Sequence, residues 1–156
     1  MKNQEFAKTP GVHLEGPFIN PKCCGAQNPA FVRQPDYDEV ANLNSIAKVL
    51  LVSLAPEMPG AVDFISKASA AGIRCSAGHS AATHEDFNKA KAAGLVHLTH
   101  YCNQMSPLHH REIGLVGSGL LDREIKIEII CDTIHLCADM LKTVFKNKET
   151  DQMMMI

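Results

Sequence analysis

No stretch of this chain is apolar for long enough to cross a bilayer. The longest apolar run, Val49 to Ala55, is broken by Ser53 and falls far short of the roughly 20 residues that a span needs. No basic cluster is present either: 15 Lys+Arg stand against 17 Asp+Glu, for a net charge of −2 and a pI near 6.4. A nucleic-acid binder is therefore not expected, because phosphate neutralisation needs clustered Lys and Arg. Met1-Lys2-Asn3-Gln4-Glu5-Phe6 lacks the apolar core of a signal peptide, which predicts a cytoplasmic protein. The six cysteines, Cys23, Cys24, Cys75, Cys102, Cys131 and Cys137, contain no C-x-x-C pair and no regular framework, so disulfides are not expected. Cys75 and Cys131 lie among apolar neighbours and read as small core residues. Cys23 and Cys24 precede Gly25 in a loop, where any metal binding would be incidental. Gly114, Gly117 and Gly119 lack the G-x-G-x-x-G order of a phosphate loop, and their expected role is loop flexibility.

What remains is a chain of 156 residues, 46% hydrophobic and 21% charged, long enough for one ordinary domain or less and able to bury a core. Six short strand candidates follow one another: Val12 to Glu15, Lys48 to Leu54, Ile73 to Ala77, Val96 to His100, Ile125 to Cys131 and Gln152 to Ile156. Between them, Pro59 to Ala71 places Val62, Ile65 and Ala68 at helical spacing, and Gly72 is a natural stop. Lys67-Ala68-Ser69-Ala70-Ala71-Gly72-Ile73 is echoed by Lys89-Ala90-Lys91-Ala92-Ala93-Gly94-Leu95, so two successive helix-to-strand joints should share one geometry. Thr83 with Asp86 forms a capping-box pattern that starts a helix over His84 to Ala93. Alternating β and α units imply a parallel sheet or barrel.

Parallel α/β folds place their chemistry at the carboxyl ends of the strands. Glu15 closes the first strand candidate, His79 follows the third, His100 ends the fourth, and Asp132 and His135 follow the fifth. Two imidazoles and a carboxylate are a common ligand set for a catalytic zinc, and Glu15, His79 and His100 form the candidate set. His13 shares the sheet face of Glu15, either as a ligand or as a residue packed beneath the site, while His84 and His97 read as structural or solvated. Arg111 lies in the polar stretch Asn103 to Glu112. Its guanidinium suits a phosphate, and the alternative is a surface ion pair with Glu112 or another carboxylate.

Three stretches carry a further signal: Gly11-Val12-His13-Leu14-Glu15-Gly16-Pro17-Phe18, Gly78-His79-Ser80, and Thr99-His100 followed by Asn103 and Met105-Ser106-Pro107-Leu108-His109-His110-Arg111-Glu112. Together they closely resemble the N-acetylglucosamine-6-phosphate deacetylase family of the amidohydrolase superfamily, over almost the whole chain. The resemblance implies an α/β fold, an incomplete (β/α)8 TIM barrel with about six of its eight strands. It also implies hydrolysis of N-acetylglucosamine 6-phosphate to glucosamine 6-phosphate and acetate. Glu15, His79 and His100 match the family's metal ligands, for zinc or alternatively iron. His135 matches a histidine that contacts substrate and polarises the amide carbonyl, and Arg111 matches a phosphate-site residue. Ala26, Gln27, Asn103 and Gln104 fall on loops that contact substrate. Gln27 stands where many members have histidine, and Gln104 where many have alanine.

The same resemblance aligns residues 1–156 with the barrel from its third strand through the start of its eighth. The first two strands, a small β-domain and the C-terminal part with the catalytic aspartate are then missing, and Asp132, on another strand, does not replace that aspartate. The isolated chain is accordingly expected to be inactive, a full-length enzyme to be a homo-oligomer, a dimer. The alternative is a non-catalytic or vestigial protein that binds metal and phosphosugar.

Overall fold

A computed structural model describes residues 8–156; the N-terminal stretch read above for a signal peptide lies outside the described residues. Six parallel strands form one sheet in strict chain order: β1 (Val12–Glu15), β2 (Val49–Leu54), β3 (Arg74–Ala77), β4 (Leu95–Leu98), β5 (Lys126–Ile129) and β6 (Met153–Met155). Five helices connect them: α1 (Tyr37–Ile46), α2 (Ala61–Ala70), α3 (His84–Ala93), α4 (Gly114–Leu121) and α5 (Ala138–Asn147). Sequential order in an all-parallel sheet is the winding of a (β/α)8 barrel, and six strands make part of one, as expected. Among the described residues no helix is long and apolar enough to cross a membrane.

Register sorts the side chains into two faces. Leu54, Ala77, Leu98 and Ile127 are neighbours across β2 to β5, as are Leu14, Val52 and Cys75 across β1 to β3. This apolar face packs against Phe64 and Ile65 of α2, Phe87 of α3, Leu115 and Val116 of α4 and Val144 of α5. The opposite row runs Glu15, Ser53, Ser76, His97 and Lys126, and is polar at every position. A side-chain period of two is enough to split the strands this way. Burial pushes the Cys75 thiol up to about 12, consistent with a core residue; Cys131 is only half-buried, and all six cysteines are free.

Local signals act where they were read. Thr83 and Asp86 form the capping box of α3. Gly72 and Gly94, at φ +76° and +115°, end α2 and α3 in the left-handed region that glycine tolerates. One expectation fails: Gly114, Gly117 and Gly119 do not loosen a loop, because they lie in α4, buried throughout. A Cβ at Gly119 would stand 2.5 Å from Cε2 of Tyr101 and 2.8 Å from Cδ1 of Leu98. The missing side chain lets the helix lie directly on a fully buried tyrosine, whose hydroxyl donates to the Val116 carbonyl. The helix shows no apolar stripe because it is buried at every position from Gly114 to Gly119, which hides it from a periodicity reading.

Two outcomes follow from this packing. Gly119→Ala should destabilise the fold by about 1–3 kcal/mol in urea unfolding, the usual cost of overpacking, and an unchanged midpoint would show that α4 does not rest on Tyr101. Burial of His97, then the positive charges of His13 and Arg74, hold its pKa down at about 4. In the unfolded chain it protonates near pH 6.5. Between those values the unfolded state binds more protons, so stability falls as pH drops from about 6.5 to about 4, by up to about 3 kcal/mol from this residue. His97→Gln should flatten that fall.

Candidate metal centre

Glu15 ends β1, His79 lies two residues beyond β3, and His100 lies two residues beyond β4; the strand expected to reach His100 stops at Leu98, because the chain turns there. The three side chains nevertheless meet. Oε1 of Glu15 is 2.7 Å from Nε2 of His79 and 3.0 Å from Nε2 of His100, and the two Nε2 atoms are 3.0 Å apart. Among the described residues these three form a group able to hold a metal ion. Hydrogen bonding from His100, then from His79, holds the Glu15 carboxyl well below the usual carboxylate range against the opposing effect of burial. At His100 burial disfavours the charged ring, but the hydrogen bond and charge of Glu15 prevail and raise its pKa.

The donor set fits a divalent cation. His79 Nδ1 lies 2.8 Å from the Cys23 carbonyl, to which it must donate, so Nε2 is the nitrogen that faces the cluster and would give its lone pair to a bound ion. Ring orientation through the second nitrogen is usual for histidine ligands. Tetrahedral donors at about 2.1 Å from zinc stand about 3.4 Å apart, so an ion needs the donor atoms to separate by about 0.4–0.7 Å. His100 differs: its Nδ1 is buried without a partner among the described residues, and its orientation is set by the backbone turn instead. His79 and His100 both have positive φ, +49° and +33°, as do Cys102 and Gln104 in the turn that follows. Such backbone persists in non-glycine residues where surrounding contacts impose it, and it concentrates at functional sites.

The remaining candidates surround this point unevenly. Nε2 of Gln27 is 3.4 Å from Nε2 of His79, and Ala26 beside it is exposed. Asn103 turns inward, its amide donating to the His100 and Tyr101 carbonyls, while the Gln104 carbonyl accepts from the Ser80 N–H. Arg111 is exposed and in no ion pair among the described residues; Glu112 instead accepts from the backbone N–H groups of His84 and Gly114, which removes the surface-pair reading with that neighbour. His135 stands outside the three-residue cluster and is paired with Asp132, its Nδ1 2.6 Å from Oδ2. Hydrogen bonds from the His135 backbone and ring, then from the Ile134 backbone, draw the Asp132 carboxyl down to about 2. His13 meets Ser53 at 2.7 Å and is not in the cluster. His84 bonds Ser118 at 2.9 Å and His97 is buried beside Ser76, both structural. Sequence reasoning did not single out the Cys23 carbonyl, Glu57 or Glu128. Glu57 follows β2 on the same strand-end rule that selected Glu15 and His79, so the signal for it was present.

Fold and site together define a segment of a parallel α/β barrel with a cluster able to hold a metal ion at the carboxyl ends of its strands. Comparison with known proteins narrows this. No family profile matches the chain. The N-acetylglucosamine-6-phosphate deacetylase of Lysinibacillus sphaericus is 36% identical over 152 residues, 96% of this chain and 39% of the relative. The N-acetylgalactosamine-6-phosphate deacetylase of Escherichia coli O157:H7 is 39% identical over 132 residues, 83% of this chain and 35% of the relative. The crystal structure of the N-acetyl-D-glucosamine-6-phosphate deacetylase of Mycobacterium smegmatis superposes with a TM-score of 0.89 at 30% identity, covering 94% of this chain and 39% of that one. A variant of that enzyme in complex with N-acetyl-D-glucosamine-6-phosphate superposes equally well. The expected resemblance to N-acetylglucosamine-6-phosphate deacetylases is thus found across nearly the whole chain, which spans about 39% of the length of the first of these relatives.

The centre should bind one divalent ion per chain. His79→Ala and Glu15→Gln should each weaken zinc binding at least about 10²-fold in competition with a chromophoric chelator, since ligands are harder to lose than the outer contacts worth 10- to 100-fold. Binding should also weaken as pH falls, because the proton that Glu15 helps His100 to retain competes with the ion. Unaltered affinity in both variants would place the ion elsewhere.

Proposed function

We propose that this chain carries the metal and substrate site of an amide hydrolase that removes the acetyl group of N-acetylglucosamine 6-phosphate, releasing glucosamine 6-phosphate and acetate. The observation that carries the reading is the convergence of Glu15, His79 and His100 within 3.0 Å of one another at the strand ends, in a chain similar over 96% of its length to such a deacetylase. In this reading the three residues hold zinc, with iron as the alternative. A bound divalent cation supplies Lewis acidity and lowers the pKa of coordinated water toward about 7. Arg111, exposed, takes the phosphate. Gln27, Asn103, Ala26 and Gln104 line the sugar. Asp132 holds the His135 ring by Nδ1, leaving Nε2 to meet the amide carbonyl.

The relatives' greater length bears on the test. Residues 1–156 correspond, in this proposal, to their barrel from the third strand to the start of the eighth, with the proton-transferring aspartate on a segment beyond. N-acetylgalactosamine 6-phosphate is a second candidate substrate, because the Escherichia coli relative acts on that epimer by name and is 39% identical.

A chimera in which these residues replace the matching region of a deacetylase should release acetate from N-acetylglucosamine 6-phosphate, and a chelator should abolish the activity. Assaying both epimers in parallel decides the sugar. His135→Asn should lower kcat by about 10²- to 10³-fold, the range for losing a group that stabilises charge at the carbonyl. Arg111→Ala should weaken binding of the phosphorylated sugar far more than of the unphosphorylated one. A folded, metal-loaded chimera that binds the sugar phosphate but releases no acetate would establish the non-catalytic binding protein instead.

A further inference from the structure

Two carboxylates outside the ligand set reach the two left-handed histidine turns from neighbouring strands. Glu57, in the turn after β2, accepts from the Ser80 hydroxyl at 2.6 Å, the Ala81 N–H at 2.7 Å and the Asn20 side-chain amide at 2.8 Å. Ser80 and Ala81 immediately follow His79. Asn20 closes the loop from the other side, its N–H donating to the His79 carbonyl at 3.0 Å. One side chain therefore ties the loop after β1 to the loop after β3, on both flanks of His79. Glu128, on β5, is buried; its Oε2 accepts from the His100 N–H at 3.2 Å, and its main-chain carbonyl accepts from the Tyr101 N–H at 2.7 Å. Two successive N–H groups of the His100 turn thus end on one residue.

We infer that Glu57 and Glu128 are positioning residues of the metal centre, each pinning one histidine in the left-handed backbone conformation that brings its Nε2 to Glu15. The inference rests on the reading of Glu15, His79 and His100 as the metal site. A histidine with positive φ returns to an ordinary conformation once the contacts imposing it are removed, and a shift of the Cα carries the imidazole off the shared point. The need is greatest at His100, whose Nδ1 has no partner among the described residues to hold the ring. A glutamate is suited to the task because its side chain ends in acceptor oxygens with several lone-pair sites, and Glu57 receives three donors at once.

The test separates holding from charge. Zinc affinity is measured on the 156-residue chain and on Glu57→Ala, Glu57→Gln, Glu128→Ala and Glu128→Gln, with His79→Ala as the reference loss. Alanine removes both the negative charge and the acceptor; glutamine removes the charge and keeps an acceptor oxygen. The expected result is a 10- to 100-fold loss in each alanine variant, the range for contacts that orient ligands, with most of the affinity recovered in the glutamine variants. Equal losses in alanine and glutamine variants would mean that the carboxylates act by charge, and would overturn the inference. So would alanine variants that bind as tightly as the parent while His79→Ala does not. If the parent itself binds no zinc, the metal reading fails, and imidazole NMR of the metal-free chain decides the positioning. Nε2 resonances of His79 and His100 displaced in the alanine variants and restored in the glutamine variants uphold it, and unchanged resonances overturn it.

Discussion

A single oxygen, Oε1 of Glu15, lies within hydrogen-bonding distance of two imidazoles that arrive from different strands, His79 at 2.7 Å and His100 at 3.0 Å. These residues are separated by 64 and 85 positions along the chain, and only the parallel register of β1, β3 and β4 makes them neighbours. Everything around them serves that meeting. The helices cover the apolar face of the sheet, leaving the polar face for chemistry, and the turns after β3 and β4 bend the two histidines back toward the first strand.

Beneath the cluster lies a layer of small polar side chains. Thr99, one residue before His100, meets Ser53 at 2.5 Å and Ser76 at 2.6 Å, and His97 meets Ser76 at 3.2 Å. All four residues are buried. Hydroxyls suit this position because each both donates and accepts, so neighbouring strands are joined across their polar face without an unpaired charge. The layer connects β2, β3 and β4 directly under Glu15, His79 and His100, where a shift of an ångström would separate their facing atoms. Rigid strands below and held turns above are complementary constraints on the same three side chains.

Electrostatics at the cluster are self-consistent. Glu15 keeps its charge because both imidazoles face it, and His100 favours its proton because Glu15 is charged. A divalent cation would replace that shared proton by a stronger charge at the same point, so the group is organised for positive charge with or without an ion. The paired Asp132 and His135 repeat the motif on a smaller scale after β5, in exposed surroundings.

Strand order, the capped helix over His84–Ala93, the two glycine stops and the identity of Glu15, His79 and His100 were all legible in the amino-acid sequence, because each follows from local rules: period-two alternation, cap chemistry and strand-end position. The helix at Gly114–Leu121 was not, since its glycines fit Leu98 and Tyr101 on other segments, and no local pattern reports what a missing Cβ will touch. Nor was the engagement of Glu57 and Glu128, although Glu57 follows a strand as plainly as His79 does. Its partners Asn20 and Ser80 lie 37 and 23 residues away, and which donors a carboxylate finds depends on which loops the sheet brings together. Position along the chain determined which residues stand at the strand ends; the tertiary structure alone decided which of them meet, because hydrogen bonds and ligand geometry act over about 3 Å and only packing closes such distances.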